Sequence, residues 1–190
     1  MKEIKGIYVI IDPDFTNSEN PIDMTKKVLD GGAKIVQLRN KNQSVKKTIE
    51  WGTQIVKLCN EYQAISIIND RVDIALITEA DGVHLGQKDI YPNQVKNITN
   101  KKLIIGSSNA LISEVEESER NDTGYIAIGS IFPTSTKNDT RPASLQLLID
   151  SKQISKKPIV AIGGINQQNI ESTIETGVDS VCIATAITLA

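Results

Sequence analysis

The chain repeats one pattern: a short apolar run that ends in polar, charged or glycine residues, followed by an amphipathic stretch. The runs end as QLRNK, IIND, GVHLGQKD, IIGSS, GSIFPTSTK, VAIGGIN and VCIATAI. Buried parallel strands are nearly continuous apolar runs, and the functional residues of a barrel collect at the carboxyl ends of its strands. The pattern therefore predicts a parallel (β/α)8 barrel whose polar strand ends face one pocket.

Eight strands follow from this pattern, and the stretches between them are long enough for crossover helices. The predicted strands are Ile4–Asp12, Ile35–Asn40, Ile65–Asn69, Gly82–Gly86, Leu103–Ser107, Tyr125–Ile131, Ile159–Gly163 and Ser180–Thr185. An open doubly wound sheet is the competing arrangement.

The amphipathic stretches predict helices between the strands. The clearest helix begins after Ser44, a suitable N-cap, and its apolar residues recur at spacings of three and four. That apolar face consists of Val45, Ile49, Gly52, Ile55, Cys59 and Tyr62. An earlier helix carries Met24 and Val28 and ends at Gly31 and Gly32, because glycine favours helix C-termini.

The last part of the chain predicts an incomplete closing unit. A helix is expected from Asn166 to Gly177, with Ile170 and Ile174 on its apolar side. The sequence stops at Ala190, a few residues after the eighth strand, so the final helix is expected to be short or missing. Residues 1–190 are predicted to form a single TIM-barrel catalytic domain, shorter than the ~250 residues typical of this fold.

Polar and apolar residues alternate at the end of the second strand. Val36 and Leu38 point to one side, and Gln37, Arg39 and Lys41 point to the other, because strand side chains alternate. The apolar pair is expected to face the helices and the polar set to line the mouth. Two cations so close together repel each other unless an anion lies between them, so this end predicts either an anion site or a solvated surface.

Two carboxylates follow neighbouring strands, Asp70 after the third and Asp89 after the fourth. Such a pair can hold Mg²⁺ and leave positions for water and substrate phosphate. An aspartate at a strand end also commonly caps the next helix. In combination with Arg39 and Lys41, the pair suggests a site for a metal-bound diphosphate.

The later strand ends supply a second set of candidates. They are Thr134, Ser135, Thr136 and Lys137 after the sixth strand, Gly163 and Gly164 after the seventh, and Ala184 and Thr185 after the eighth. Hydroxyl-rich loops are often only turns, but the last two loops of a barrel frequently hold a phosphate group. Small residues there allow backbone N–H groups to approach an anion.

Composition excludes several classes of function. The net charge of -2 argues against a nucleic-acid surface. Cys59 and Cys182 lie far apart in apolar surroundings, so buried thiols are expected rather than a zinc site or a disulfide.

His84, the only histidine, lies in an apolar strand and suits a core position better than a catalytic base. The apolar run before Asp12 is too short for a signal peptide and no run could span a bilayer, so a cytoplasmic protein without a membrane partner is expected.

These segments resemble the thiamine phosphate synthase family, also called the thiamine-phosphate pyrophosphorylases, from about Tyr8 to the carboxyl terminus. The resemblance is carried by QLRNK (37–41), IND (68–70), DGVHLGQKD (81–89), IGSS (105–108), GSIFPTSTK (129–137), VAIGGI (160–165) and VCIATAI (181–187). It implies a TIM barrel and a transferase that joins hydroxymethylpyrimidine diphosphate to hydroxyethylthiazole phosphate, with Mg²⁺ as cofactor. The sequence departs from the family at Ser130, where Pro is more frequent, and at Thr185, where Ser is usual.

The resemblance also implies residue roles. Arg39, Lys41 and Lys137 are expected to be catalytic by stabilising the departing diphosphate, and Asp70 and Asp89 to hold Mg²⁺. The expected contacts of the pyrimidine diphosphate are Gln37, Leu38, Arg39, Asn40, Lys41, Asn69, Ser108 and Lys137. The expected contacts of the thiazole phosphate are Thr134, Ser135, Thr136, Gly163, Gly164, Ala184 and Thr185.

Two other functions match parts of the pattern. A thiazole tautomerase on a similar barrel is expected to carry a histidine shortly after the fifth-strand serine, where this chain reads Ser107-Ser108-Asn109-Ala110. A non-catalytic thiazole phosphate binding barrel would not require the carboxylate pair. A homo-oligomer is compatible with the sequence.

Overall fold

A computed structural model describes residues 2–17, 19–134, 136 and 140–190. Eight parallel strands close into a barrel, each paired with the next in sequence and the last paired with the first. The strands are β1 (Gly6–Ile11), β2 (Ile35–Leu38), β3 (Ile65–Asn69), β4 (Gly82–Leu85), β5 (Ile104–Asn109), β6 (Tyr125–Ile128), β7 (Ile159–Ile162) and β8 (Ser180–Ile183). The closure confirms the predicted barrel and excludes the open sheet.

Side chains of the strands alternate between two apolar layers. The layer inside the barrel includes Ile35 and Ile67. Val36 and Leu38 belong to the outer layer, where they pack with residues of the helices. Gln37 lies between them in sequence and points into the interior, where it is buried. The alternation predicted for β2 is therefore confirmed, and it turns the polar face of this strand toward the barrel axis.

Seven α-helices surround the described part of the barrel. They are α1 (Pro21–Asp30), α2 (Val45–Glu61), α3 (Val72–Ile77), α4 (Ile112–Arg120), α5 (Leu145–Ile154), α6 (Ile170–Ile174) and α7 (Thr185–Thr188). Ser44 caps α2 as predicted, since its hydroxyl accepts a hydrogen bond from the N–H of Lys47 at 3.2 Å. Gly31 lies at the C-cap of α1, which is also as predicted.

Three details differ from the sequence-based expectation. A 3-10 helix at Pro92–Asn97 replaces an α-helix between β4 and β5, because proline lacks an N–H and asparagine competes for backbone hydrogen bonds. The sixth helix begins at Ile170 rather than Asn166, whose side chain accepts from the N–H of Gln168 at 2.9 Å in a preceding turn. Val45 and Tyr62, at the two ends of the predicted apolar face of α2, are both exposed.

The closing helix is short, as predicted, with four residues in α7. A groove of about 260 Å³ lies beside it on the outer side of the barrel, lined in part by Val9 and Val28. Among the residues that the structure describes, no helix combines the length and the apolar character needed to cross a bilayer.

Both cysteines are buried free thiols, as predicted. Burial raises the pKa of both thiols, that of Cys59 to about 12. The thiol of Cys182 lies in the barrel interior. Both thiols therefore stay protonated and serve as apolar packing groups.

Candidate active site

The carboxyl ends of β1 and β2 bring a cation and a buried carboxylate together. Arg39, the first residue after β2, donates from Nη1 to Oδ2 of Asp12, the first residue after β1. The Asp12 side chain is 2% exposed and that of Arg39 is 18% exposed. A charge-assisted hydrogen bond with so little access to water fixes the direction of the guanidinium group.

Lys41 and Asp70 form the next ion pair along this rim. The ammonium group of Lys41 donates to Oδ2 of Asp70, which follows β3. The backbone N–H of Asp70 donates to the carbonyl of His84 at 2.8 Å, and φ at Asp70 is +61°. Aspartate tolerates this left-handed conformation better than most residues, so the end of β3 can turn and carry a carboxylate at the same position.

Asp89 is the second carboxylate of the rim. Its Oδ2 accepts from the N–H of Gly86 at 2.7 Å, in the loop after β4. Partial burial raises the pKa of Asp89, and the neighbouring Asp70 carboxylate raises it further. The two carboxylates are therefore close enough to repel each other, and a divalent cation between them would relieve that repulsion.

The donor set around these carboxylates fits Mg²⁺. Within the described residues, no group of three or more His, Cys, Asp or Glu side chains could hold a metal ion by itself. Mg²⁺ usually takes one or two carboxylates and completes its shell with water and substrate phosphate. Asp70 and Asp89 would supply the carboxylates, and the rim around them is partly exposed.

A hydrogen-bonded chain crosses the barrel interior below the rim. Nε2 of Gln37 donates to the hydroxyl of Tyr8 at 2.5 Å, and this hydroxyl lies 2.9 Å from that of Tyr125. Nδ1 of His84 lies 2.9 Å from the Tyr125 hydroxyl, and its Nε2 lies 2.9 Å from Oγ of Ser108. Gln37 on β2 and Ser108 on β5, both predicted substrate contacts, are thus joined through the barrel interior. His84 is buried and bonded through both ring nitrogens, which agrees with the core position that the sequence favours.

Ring packing holds this chain in place. The rings of Tyr8 and Tyr125 meet edge to face at 6.1 Å, and the His84 ring stacks on Tyr125 at 5.6 Å. Gly106 provides the space, because a Cβ atom there would lie 2.4 Å from the Tyr125 hydroxyl oxygen. Burial raises the pKa of both phenols, so they stay protonated at neutral pH.

Three other predicted contacts of the pyrimidine diphosphate lie around β2 and β3. The side chain of Leu38 packs in the outer layer and points away from the rim. Asn40 donates to the hydroxyl of Thr48 at 2.6 Å and accepts from the N–H of Gln43 at 3.0 Å, which stabilises the start of α2. Asn69 is half-buried at the end of β3. The first two side chains therefore support the fold next to the site, and the third lies within the rim.

Threonine hydroxyls meet on the other half of the rim. The hydroxyl of Thr134 donates to that of Thr136 at 3.1 Å, and the Thr136 hydroxyl lies 3.4 Å from that of Thr185. Ala184 occupies the N-cap position of α7, directly before Thr185. Ser135 and Lys137, also predicted site residues, lie outside the described residues. The loop after β6 and the end of β8 thus contribute to one cluster.

Gly163 and Gly164 lie where the loop after β6 crosses the end of β7. Their φ angles are +102° and +64°, which favour glycine. A Cβ at Gly163 would lie 2.3 Å from Oγ of Ser130, and one at Gly164 would lie 2.4 Å from the carbonyl oxygen of Pro133. Close backbone packing is therefore one reason for both glycines. The approach of an anion, predicted from the sequence, would be a second reason.

The loop between β6 and α5 is closed at its base. The N–H of Ser130 donates to the carbonyl of Arg141 at 2.8 Å, and the N–H of Ala143 donates back to that of Ser130 at 2.9 Å. Both guanidinium amines of Arg141 donate to the carboxylate of Glu114, which also accepts from the N–H of Ala110 at 2.7 Å. Burial raises the pKa of Glu114, but these hydrogen bonds outweigh burial and leave it below its usual value. The base of the loop is therefore fixed to the start of α4.

Sequence reasoning missed Asp12, Tyr8, Tyr125 and Arg141. In the sequence, Asp12 is visible only as the end of the first apolar run, and its partner Arg39 lies 27 residues away. The two tyrosines are 117 residues apart. Alternation along the strands could have marked the tyrosines as inward-facing, but not their contact.

Comparisons with known proteins identify relatives of this chain. A family model described as thiamine monophosphate synthase matches residues 7–187. The chain is 38% identical over 182 residues to a thiamine-phosphate synthase from Alkaliphilus oremlandii, an alignment covering 96% of this chain and 87% of that protein. It is 39% identical over 186 residues to one from Methanococcus maripaludis, covering 98% and 88% respectively.

A solved structure resembles the whole barrel. The thiamine phosphate pyrophosphorylase from Pyrococcus furiosus superposes with a TM-score of 0.91 at 36% identity, covering 100% of this chain and 89% of that one. Both the fold and the sequence relationship therefore agree with the resemblance carried by the strand ends. Matched by the family model from β1 into α7, the chain belongs to the thiamine monophosphate synthase family.

Proposed function

We propose that the carboxyl rim of this barrel condenses hydroxymethylpyrimidine diphosphate with hydroxyethylthiazole phosphate to give thiamine phosphate and pyrophosphate. Family membership confirms a transferase of thiamine biosynthesis that forms thiamine phosphate. The observation that carries the detailed assignment is the division of the rim into two halves. The ends of β2 to β4 carry two cations beside two carboxylates, and the ends of β6 to β8 carry hydroxyls beside a glycine pair.

The first half suits the diphosphate. Arg39 and Lys41 supply positive charge, and the donors of an arginine or lysine side chain match phosphate oxygens. Asp70 and Asp89 would hold Mg²⁺, which supplies charge neutralisation to a departing pyrophosphate when it is bound. Gln37 and Ser108, joined through the interior chain, would contact the pyrimidine substrate, together with Asn69 and the strand-end segment that includes Leu38 and Asn40.

The second half suits the monophosphate. Thr134, Thr136 and Thr185 offer hydroxyl donors within one cluster, and Ser135 is expected to add another. Gly163, Gly164 and Ala184 carry no side chain that would block an approaching phosphate. A phosphate bound here would orient the thiazole ring toward the pyrimidine substrate. Lys137, on the same loop, is assigned to the departing diphosphate.

The reaction needs positioning and charge stabilisation more than proton transfer. The bond between the pyrimidinylmethyl carbon and the diphosphate oxygen breaks, and its electron pair leaves with pyrophosphate. The lone pair of the thiazole nitrogen then forms the new carbon–nitrogen bond. This nitrogen carries no proton, so no general base is required. Arg39, Lys41 and Lys137 stabilise charge that develops on the leaving group, and the hydroxyl cluster holds the nucleophile.

Two further assignments belong to this proposal. The barrel of residues 1–190 acts as a single catalytic domain on two small-molecule substrates. We expect the reaction to take place in the cytoplasm.

The tautomerase alternative is not favoured. The position after Ser108 is Asn109, whose side chain is buried, donates to the carbonyl of Ser107 at 3.0 Å and accepts from the hydroxyl of Ser118 at 2.9 Å. It holds neighbouring elements together and cannot transfer a proton. His84, the only histidine of the chain, faces the interior chain of hydroxyl groups.

Product analysis tests the proposal. Purified full chain is mixed with both substrates and Mg²⁺, and thiamine phosphate and pyrophosphate are measured by mass spectrometry, with reactions lacking either substrate or containing EDTA as controls. We expect both products in equal amounts, only when both substrates and Mg²⁺ are present. Binding of both substrates without products would identify a binding protein, and conversion of the thiazole phosphate alone would identify a tautomerase.

A further inference from the structure

The ion pair between Asp12 and Arg39 differs from the other cation pair of the rim. Asp12 is almost completely buried, whereas the partner of Lys41, Asp70, keeps 21% of its side chain exposed. Asp70 also lies beside Asp89, where it is assigned to Mg²⁺. Asp12 therefore has only the guanidinium group as its charged partner among the ion pairs described, and that partner is assigned to the diphosphate.

Asp12 is itself held firmly by its own loop. Its Oδ1 accepts from the N–H of Asp14 at 3.1 Å, and its carbonyl oxygen accepts from the N–H of Phe15 at 2.8 Å. These bonds form a 3-10 turn at Pro13–Phe15, directly after β1. The carboxylate is thus anchored by the backbone on one oxygen and presents the other to Arg39.

The backbone of Arg39 is fixed from the same direction. Its N–H donates to the carbonyl of Ile11 at 2.9 Å, which extends the pairing of β1 and β2 by one residue. Backbone and side chain of Arg39 are therefore both tied to the end of β1. A planar guanidinium group with one amine held in this way keeps its remaining N–H groups in a fixed plane.

A buried carboxylate beside the cation also has an electrostatic cost. It neutralises Arg39, so the pair contributes little net attraction for an anion at long range. The benefit of the pair is a fixed orientation of the Arg39 donors. A donor that is already oriented stabilises charge that develops in the transition state without having to reorganise.

We propose that Asp12 is a positioning residue, which holds the guanidinium group of Arg39 in the orientation that stabilises the departing diphosphate. This inference rests on the proposed function of the rim. It assigns to Asp12 an effect on the rate of the chemical step rather than on the affinity for either substrate. A purely structural role, as the cap of the turn after β1, would instead lower stability and leave the rate of the folded enzyme unchanged.

A double-mutant cycle tests this assignment. The variants are Asp12→Asn, Arg39→Ala and the double variant, with Asp14→Asn as matched control, because Asp14 is an exposed carboxylate in the same turn that contacts Asn42 and not Arg39. We expect Asp12→Asn to lower kcat about tenfold, with the KM of hydroxyethylthiazole phosphate within about twofold of wild type. In the Arg39→Ala background the same change should have almost no further effect on kcat. Asp14→Asn should resemble wild type.

Each other outcome overturns the proposal. An unchanged kcat in Asp12→Asn shows that the carboxylate does not position Arg39. A full tenfold loss in the Arg39→Ala background shows that Asp12 acts through another residue. If Asp12→Asn does not fold, the variant Arg39→Lys tests the proposal instead. Lysine keeps the positive charge beside Asp12 but lacks the planar guanidinium group. A normal kcat in Arg39→Lys would refute the need for a fixed guanidinium group.

The wild-type reaction separates this inference from the proposed function. If the wild-type chain forms no thiamine phosphate, the proposed function fails. If it does, and Asp12→Asn behaves like Asp14→Asn, only the role of Asp12 fails. Binding of pyrophosphate with Mg²⁺, measured by calorimetry, gives a readout independent of turnover. We expect Asp12→Asn to bind pyrophosphate at least as tightly as wild type, since the rim gains one net positive charge.

Discussion

Aspartates lie at both ends of the barrel, and they make different contacts at each end. At the amino end, Asp81 precedes β4 and accepts from the backbone N–H of Ser66 on β3 at 2.9 Å. Asp179 precedes β8 and accepts from the backbone N–H of Ile159 on β7 at 2.8 Å. Each of the two also forms an ion pair with a lysine. Each carboxylate therefore links two neighbouring strands, and the two links lie four strands apart around the barrel.

At the carboxyl end, the charged groups contact each other instead of the neighbouring strand. Asp70 binds Lys41, and the pKa of Asp89 is raised by its partial burial and by the nearby Asp70 carboxylate. Like charges held together in this way cost stability and are typical of sites that bind an ion or a substrate. The comparison supports the proposal that the carboxyl end performs the chemistry while the amino end stabilises the fold, a division that is general for this barrel type.

The largest expected effect is at the proposed metal site. Asp70→Asn removes one carboxylate and keeps a residue that tolerates the left-handed backbone, so the fold should persist while kcat falls by about 10²–10³-fold. Pyrophosphate release and the melting temperature measure the two effects. Asp81→Asn, an ion-paired aspartate at the opposite end, is the matched control and should retain its kcat. Normal turnover in Asp70→Asn would show that the metal assignment is wrong.

Lys137→Ala tests the division of the rim into a diphosphate half and a monophosphate half. This lysine is assigned to the departing diphosphate, so kcat should fall by about 10–100-fold while the KM of the thiazole phosphate changes little. Steady-state kinetics with each substrate varied in turn gives both values. An effect confined to the KM of the thiazole phosphate would move Lys137 to the other half.

At the amino end, Asp179→Ala should affect stability and leave activity unchanged. The change leaves the buried N–H of Ile159 without its acceptor and Lys152 without its partner, which should lower the free energy of unfolding by about 1–3 kcal/mol. Urea denaturation measures the loss, and kcat at low temperature serves as the control. A loss of kcat without a loss of stability would contradict the separation of the two ends.

Thr185→Ala tests the monophosphate half. Loss of one hydroxyl donor should cost about 0.5–1.5 kcal/mol of binding, equivalent to a rise of several-fold in the KM of the thiazole phosphate. The kcat value and the KM of the pyrimidine diphosphate should stay near wild type. An unchanged affinity for the thiazole phosphate would remove Thr185 from this site.

The smallest expected effect is a gain in stability at the carboxyl end. Burial and the neighbouring Asp70 raise the pKa of Asp89 in the folded state, so its charged form destabilises the metal-free protein at neutral pH. Asp89→Asn should therefore raise the melting temperature slightly at pH 7 in the presence of EDTA. The gain should shrink as the pH falls through the raised pKa of Asp89 and vanish below the usual aspartate value of about 4, where the carboxyl group becomes protonated in both states. A lower melting temperature at pH 7 would contradict this explanation.

The sequence predicts the barrel well because each strand carries its own signal. The run at Ile65–Asn69 is predicted with its observed bounds, and the other strands differ by only a few residues at their ends. Apolar runs of this kind report burial directly, residue by residue. Strand ends such as Arg39 and Asp70 are visible for the same reason, as the first polar residues after each run.

The partners of these residues are not visible, because they depend on which strands lie side by side. The pairing of Arg39 with Asp12 exists only because β1 and β2 are neighbours. The contact of Tyr8 with Tyr125 crosses the interior of the closed barrel. Local patterns report burial and polarity, whereas these contacts depend on which strands are neighbours and on how the barrel closes.

A crystal structure with thiamine phosphate, pyrophosphate and Mg²⁺ bound tests the account most directly. We expect pyrophosphate against Arg39 and Lys41, Mg²⁺ between it and the carboxylates of Asp70 and Asp89, and the phosphate of the product beside Thr185. Pyrophosphate bound away from Arg39, or Mg²⁺ on carboxylates other than these two, would contradict the assignment of this rim.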